Sequence, residues 1–345
     1  MNQFLIKKTP MAPKRYGDPE EKERTEKFRK NEKEETFLEI LNNYLVPFEE
    51  ALVEGADSPR LPVTFIIGTP RSGTTLLMQL AVSSYELGYP SNLMARFFKV
   101  PAVGAWIQRI VVGKNRVARS AYESTFGVTS FPEEPHEFGY FWTSFFRPGT
   151  THWFEPEELE KVKKENLLQK LSAIETILDR PLIFKSLNLD FIVEYLGNIL
   201  PKPFFVYVKR DLYFSAESIY IARIRRYGSA DVWWSLRPKQ YPLLKKMDPF
   251  HQVAGQVWAI KTELERQLST VPEAQKLELD YKAVCENPAR ELGKYAAKMQ
   301  ALGCPLNSRF EPPGKLACKD VVKLDRQKAD QLRKALEVME NFTNW

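Results

Sequence analysis

The run Val63-Thr-Phe-Ile-Ile-Gly-Thr-Pro-Arg-Ser-Gly-Thr-Thr-Leu-Leu77 reads as a strand, a tight loop and the start of a helix. A β-branched apolar stretch, Val63 to Ile67, ends at Gly68 and turns through Thr69, Pro70, Arg71, Ser72 and Gly73. An apolar helical pattern then begins at Thr74. The first N–H groups of a helix have no internal partner, and the helix dipole adds partial positive charge there. A strand, a glycine-flanked loop and a helix N-terminus in that order are how backbones bind phosphate. Gly68 and Gly73 let the loop curl so that its amides converge on one anion. An ordinary strand–turn–helix corner would not require arginine, serine and two threonines at one spot.

The loop nearly fits the nucleotide-triphosphatase pattern G-x-x-x-x-G-K-[ST], and the misfit is informative. Gly68, Gly73 and Thr75 hold the glycine and hydroxyl positions, but Thr74 stands where the lysine belongs. ATPases, GTPases and P-loop kinases use that lysine on the β/γ-phosphates, so they are disfavoured. The cation here is Arg71, three residues earlier, and its planar guanidinium suits bidentate pairing with phosphate or sulfate oxygens.

A second segment, Phe204-Phe-Val-Tyr-Val-Lys-Arg-Asp-Leu-Tyr-Phe-Ser-Ala-Glu-Ser218, again runs from an apolar strand into a helix. Arg210 falls at the strand's carboxyl end and Ser218 near the second helical turn. Ligands of parallel sheets bind at the carboxyl ends of strands, so both would face the crevice of the first loop. With this pair in view, the chain resembles the sulfotransferases that use 3′-phosphoadenosine 5′-phosphosulfate (PAPS). In that family a P-R-S-G-T-T-type loop binds the 5′-phosphosulfate, here Arg71, Ser72, Gly73, Thr74, Thr75 and Leu76. An Arg-x₇-Ser pair after a later strand, here Arg210 and Ser218, binds the 3′-phosphate.

Two more segments strengthen the resemblance, which covers roughly residues 62–305. Lys185-Ser186 follows the apolar run Pro181 to Phe184, where many bacterial members carry a K-S or K-T pair. Leu277-Glu-Leu-Asp-Tyr281, followed by Asn287-Pro288, resembles the family's strand-then-tyrosine segment; the resemblance places Tyr281 at the adenine. Lys315 and Lys319, within Pro313–Lys319, match a basic glycine-containing loop that often closes over the 3′-phosphate, with a plain surface loop as the alternative.

Sulfuryl transfer needs cations to meet charge growing on the bridging oxygen and a base to take the acceptor's proton. Lys185 is the candidate for the first task, with Arg71 beside it, and no metal is expected. For the base, Phe131-Pro-Glu-Glu-Pro-His-Glu-Phe-Gly-Tyr-Phe-Trp142 sets Glu133, Glu134, His136 and Glu137 against a dense aromatic run whose desolvation raises carboxylate basicity. The competing interpretation is a helix start, with Pro135 and the acids in a first turn and Phe138, Phe141 and Trp142 facing the core. Of these groups Glu137 is chosen over His136, because it lies nearer the aromatic run. The chain departs from the family here. Cytosolic relatives place a base histidine two residues after the lysine, where this chain has Leu187 and then Asn188. Tyrosine-sulfating relatives place a glutamate shortly after the first helix, where it has Ser91-Asn92. That departure keeps open a second function, a non-catalytic PAPS-binding regulatory or scaffolding protein. His152 and His251 are expected to be structural or exposed.

The expected architecture is α/β: a central, mostly parallel sheet flanked by helices, with the P-loop NTPase-like layout of the sulfotransferases. Strands are expected at 63–68, 182–185, 204–209 and 276–280, spaced for helical crossovers. Residues 1–60 read as a charged arm, solvated over 8–36, leading to a short amphipathic helix over 37–45. Residues 61–310 form the main domain, with insertions at 89–160 and 213–269 that would shape acceptor specificity. Residues 311–345 supply a C-terminal loop and helix. The helix after the first loop should stop near Gly88. With 345 residues, 43% of them apolar, the chain can build one large core. The net charge of +6 accords with an anionic ligand but is a weak signal. No zinc-finger spacing or arginine stripe interleaved with aromatics points to nucleic acid. Cys285, Cys304 and Cys318 make no C-x-x-C pair, and neither a membrane span nor a signal-peptide core is legible. A cytoplasmic enzyme acting on a small-molecule, carbohydrate or lipid acceptor is the expectation, with the acceptor and the oligomeric state left open.

Overall fold

Four strands, β1 (Val63–Ile67), β2 (Ile183–Lys185), β3 (Pro203–Lys209) and β4 (Lys276–Asp280), form one sheet in the order β2-β1-β3-β4. Every neighbouring pair is parallel. The structure, a computed structural model, describes residues 19–113, 122, 124 and 127–342. The chain start, residues 8–18 of the charged arm, the last three residues and part of the 89–160 insertion lie outside these. Each strand falls within a residue of its expected bounds; β1, β2 and β3 are short, mainly apolar runs, and β4 alternates polar and apolar residues.

The central strand β1 is buried along its whole length, as a strand covered on both faces must be. Its side chains alternate between two cores. On one face Phe65 stacks on its cross-strand partners Phe184 and Phe205, with ring centroids 6.0 and 5.6 Å apart. On the other, Ile66 meets Val206, Ile183 and Leu279.

Helices follow in the order α1 (Glu32–Val53), α2 (Thr74–Ser84), α3 (Pro101–Val111), α4 (Gly139–Phe145), α5 (Pro156–Glu160), α6 (Lys164–Leu178), α7 (Val193–Ile199), α8 (Leu212–Tyr227), α9 (Tyr241–Leu244), α10 (Pro249–Thr270), α11 (Tyr281–Glu286), α12 (Pro288–Ala301) and α13 (Arg326–Glu340). Helices α4, α6, α7 and α10 cover the Phe65 face, and α2, α11 and α12 cover the Ile66 face. Helices α8, α10 and α13 pack on one another through Ile219, Val257 and Leu332. The chain leaves β1 toward β2 and β3 toward β4, in opposite directions across the sheet. A crevice therefore opens at the carboxyl ends of β1 and β3.

Three local expectations are corrected. The helix expected over 37–45 runs 22 residues, because Asn31 accepts from Lys33 N and Glu34 N as its cap and three glutamates occupy its first turn. Residues 19–30, although mostly exposed, are fastened to the body of the protein. Arg24 is buried and Thr25 N donates to Arg226 O at 2.8 Å. Helix α2 ends at Ser84, and Gly88 serves a different purpose. It pairs with the start of β2, donating to Pro181 O at 2.9 Å and accepting from Ile183 N at 2.8 Å. A Cβ there would lie 2.9 Å from Leu182 Cδ2, so any larger residue would have to push that side-chain end aside.

Candidate functional site

The loop after β1 holds the strain expected of an anion cradle. Arg71 sits at φ 73° and Gly73 at φ 99°, both left-handed, and Gly73 begins α2 with no side chain capping its first turn. Thr74, Thr75 and Leu76 of that turn line a cavity of about 990 Å³ together with Arg71 and Gly73. The loop is clamped from two sides. A Cβ on Gly68 would lie 2.8 Å from Val208 O, and one on Gly73 would lie 2.3 Å from Tyr281 Cδ2. Tyr281 thus lies against the loop, at the start of α11 directly after β4. Ser72 is fully buried beneath it, its N–H bonded to Thr69 O at 3.0 Å.

At one end of the cavity the cations crowd. Arg71 Nε donates to Ser218 Oγ at 3.0 Å, and Arg210 Nη1 donates to the carbonyl of Arg71. The Arg210 guanidinium lies 4.6 Å from the Tyr281 ring. Lys319 and Lys323 line the same end. Burial, with Arg210 adding to it, brings the Arg71 guanidinium down to about 10. Burial likewise lowers the Lys323 ammonium, with Arg210, Arg71 and Lys319 acting in the same direction. A group of cations that oppose one another's charge stands ready for a polyanion. One carboxylate already answers it: Asp320 Oδ1 accepts from Arg210 Nε at 2.7 Å and pairs with Nη2 at 2.6 Å.

At the other end Lys185, last residue of β2, forms an ion pair with Glu137. A methyl group on Gly127 would sit 3.3 Å from Glu137 Oε1, 3.5 Å from Thr75 Oγ1 and 3.9 Å from Lys185 Nζ. Hydroxyl, ammonium and carboxylate therefore converge on one point beside the loop. Gly127 at φ 88° leaves that point open. His136 lies next to it, but its Nδ1 accepts from Phe138 N at 2.8 Å, and burial holds the imidazole at about 4. With that lone pair engaged, a neutral His136 carries its proton on Nε2 and has nothing left to take another.

The helix-start interpretation of this segment holds for its aromatics and not for its acids. Phe138, Phe141 and Trp142 are core residues, but α4 begins at Gly139, after the acids. Glu134 Oε2 accepts from Ser130 N and Phe131 N at 2.8 and 3.0 Å, a structural use. Of the four candidates, His136 and Glu137 line the cavity. His251, in the first turn of α10, pairs with Asp248, the residue that caps that helix. His152 accepts from Arg237 N at 3.1 Å and also lines the cavity. Lys315 is exposed and outside the lining, whereas Lys319 N donates to Tyr281 Oη at 3.3 Å.

Three groups of the site escape the sequence analysis. Asp190 is fully buried. Its Oδ1 faces Gly68 N at 3.5 Å, and burial raises it well above the usual carboxylate range, against the pull of Gly68 N–H and Lys185. Asp320 and Lys323 belong to the segment after Lys319. A carboxylate next to a basic run was their only signal.

A profile of the sulfotransferase family matches residues 62–299. The chain is a member of the sulfotransferase family. No curated protein matches it. Similar solved structures include sulfotransferase STF9 from Mycobacterium avium, at 11% identity over 87% of this chain and 80% of that one, with a TM-score of 0.47. A sulfotransferase from Alicyclobacillus acidocaldarius is 14% identical over 81% and 92%, with a TM-score of 0.41. Among the described residues of this sulfotransferase no cluster is suited to a metal, and no helix is long and apolar enough to cross a membrane.

Proposed function

We propose that this sulfotransferase moves the sulfuryl group of PAPS to an acceptor hydroxyl or amine. The observation that carries the reading is a single cavity with two chemically distinct ends. Arg71, Ser218 and Arg210 meet at one, while Thr75, Lys185 and Glu137 meet at the other. The nucleotide lies between them with its 3′-phosphate on Arg210, Ser218 and Lys319. Its 5′-phosphosulfate lies on the Gly73–Leu76 turn and Arg71, and its adenine beside Tyr281.

The acceptor oxygen attacks sulfur as the bond from sulfur to the bridging oxygen breaks. The electron pair leaves with 3′-phosphoadenosine 5′-phosphate, where Lys185 meets the charge, and the acceptor's proton passes to Glu137. Catalysis of this kind is positioning plus charge stabilisation. The ion pair of Lys185 with Glu137 is the resting arrangement. The donor offers Lys185 a stronger anion and frees the carboxylate to act as base.

Sulfur-labelled PAPS incubated with the full chain and a panel of hydroxylated small molecules, sugars and lipids tests the reading. Label must appear on an acceptor, with 3′-phosphoadenosine 5′-phosphate released in equal amount. Tight nucleotide binding with no transfer to any acceptor would favour a binding protein instead.

A further inference from the structure

The family match begins at residue 62, yet one wall of the cavity comes from before it. Pro19, Glu20, Lys30, Glu35 and Leu38 line the side that includes Glu137 and Tyr140. This segment is fastened at both ends. Thr25 N donates to Arg226 O at 2.8 Å, and the Arg226 guanidinium lies 5.2 Å from the Phe28 ring and 5.6 Å from that of Trp234. Lys30 lies 4.7 Å from the Tyr140 ring and donates to its hydroxyl, which donates in turn to Glu35 Oε2 at 2.6 Å. Tyr140 and Glu137, three residues apart, line the same cavity.

Helix α1 also sets the turn that carries Arg96. Asn42 Nδ2 donates to Arg96 O at 2.8 Å, and Asn42 Oδ1 accepts from Lys99 N at 2.9 Å. The Arg96 side chain is exposed, lines the cavity and makes no hydrogen bond or ion pair among the described residues. Other charges on this side are committed. Glu35 and Lys30 share Tyr140, Arg226 is stacked, and Arg237 donates to Gly149 O at 3.3 Å. Leu38, Phe98 and Tyr140 line the same cavity as Arg96, with the Phe98 and Tyr140 ring centroids 5.1 Å apart.

We propose that the acceptor is a hydroxylated molecule with an apolar body and an anionic group, and that Arg96, placed by α1, is the residue that selects it. The cation takes the anion, the aromatic faces take the body, and the hydroxyl reaches Glu137. The inference rests on the sulfotransferase reading of the same cavity.

The test is calorimetric, on the full chain saturated with 3′-phosphoadenosine 5′-phosphate, titrated with ω-hydroxydodecanoate and with its methyl ester. An exposed cation contributes modestly, so the acid should bind roughly three- to tenfold tighter than the ester. Arg96→Gln should erase that preference, Arg96→Lys should keep most of it, and roughly 0.5 M salt should weaken it. Equal binding of acid and ester, a preference that survives Arg96→Gln, or binding of neither would overturn the proposal. Saturation with the nucleotide is read separately in the same cell. Its failure would count against the donor site, while the acid–ester comparison can still be made without it.

Discussion

Arg71 Nε donates to Ser218 Oγ at 3.0 Å, joining the loop after β1 to the helix after β3 across the mouth of the crevice. The resemblance assigns the two residues to opposite ends of one nucleotide, the phosphosulfate and the 3′-phosphate. Their contact makes them a unit. Arg71→Ala should weaken binding of 3′-phosphoadenosine 5′-phosphate by roughly 10–150-fold, the loss of a charge-assisted hydrogen bond of about 1.5–3 kcal/mol. The double variant with Ser218→Ala should fall short of the summed losses by at least about 0.5 kcal/mol in calorimetry. Strict additivity would mean that the contact plays no part in binding.

Arg210 is held by Asp320, 110 residues away, where the donor's 3′-phosphate is proposed to sit. Phosphate and carboxylate compete for one guanidinium. Asp320→Asn should therefore tighten 3′-phosphoadenosine 5′-phosphate by roughly 5–30-fold, a change of about 1–2 kcal/mol for relief of one like charge. It should leave adenosine 5′-phosphosulfate, which lacks the 3′-phosphate, nearly unchanged. Arg210→Ala should show the same selectivity with the opposite sign. Equal effects on both ligands would remove Arg210 from the 3′-phosphate.

Burial holds His136 at about 4, below its ordinary 6.5. The unfolded chain therefore takes up the proton first as acid is added. Stability from this residue is complete above about pH 6.5 and is lost as pH falls toward 4. Urea unfolding at pH 7 and pH 5 should differ by about 1 kcal/mol through His136 alone, after allowance for its partial exposure. His136→Asn should lose that part of the difference; an unchanged pH dependence would contradict the buried neutral imidazole.

Lys185 faces the point where charge develops on the bridging oxygen. Removing one preorganised donor of this kind typically lowers rate by about 10²–10³-fold. Lys185→Met should reduce turnover by that order while donor affinity falls far less. A loss confined to affinity would make it a binding residue only.

The sheet and its loop were legible in the sequence because their signal is local. Val63–Ile67 is a β-branched, mainly apolar run buried along its length, and Gly68 and Gly73 bracket the loop that follows it in a pattern that a tight turn explains. Lys185 and Arg210 stand at the ends of such runs, and Tyr281 follows the alternating strand Lys276–Asp280. What stayed hidden depends on contacts between distant residues. The charges of residues 19–36 look solvated in isolation, yet Thr25 finds a partner on α8 and Lys30 one on α4. Gly88 resembles a helix stop, and only Leu182, far along the chain, shows that it is a site of close approach. Asp320 carries no pattern of its own; its meaning comes from Arg210.

Glu137 tests the account most directly. Glu137→Gln keeps the shape and hydrogen bonding of the side chain and abolishes its basicity. Sulfur transfer from labelled PAPS to the best acceptor of the panel should fall by about 10²–10⁴-fold, the usual worth of a general base, while both substrates still bind. Near-normal transfer by Glu137→Gln, with His136→Asn inactive, would make the histidine the base. Near-normal transfer by both would contradict the proposed chemistry of the segment altogether.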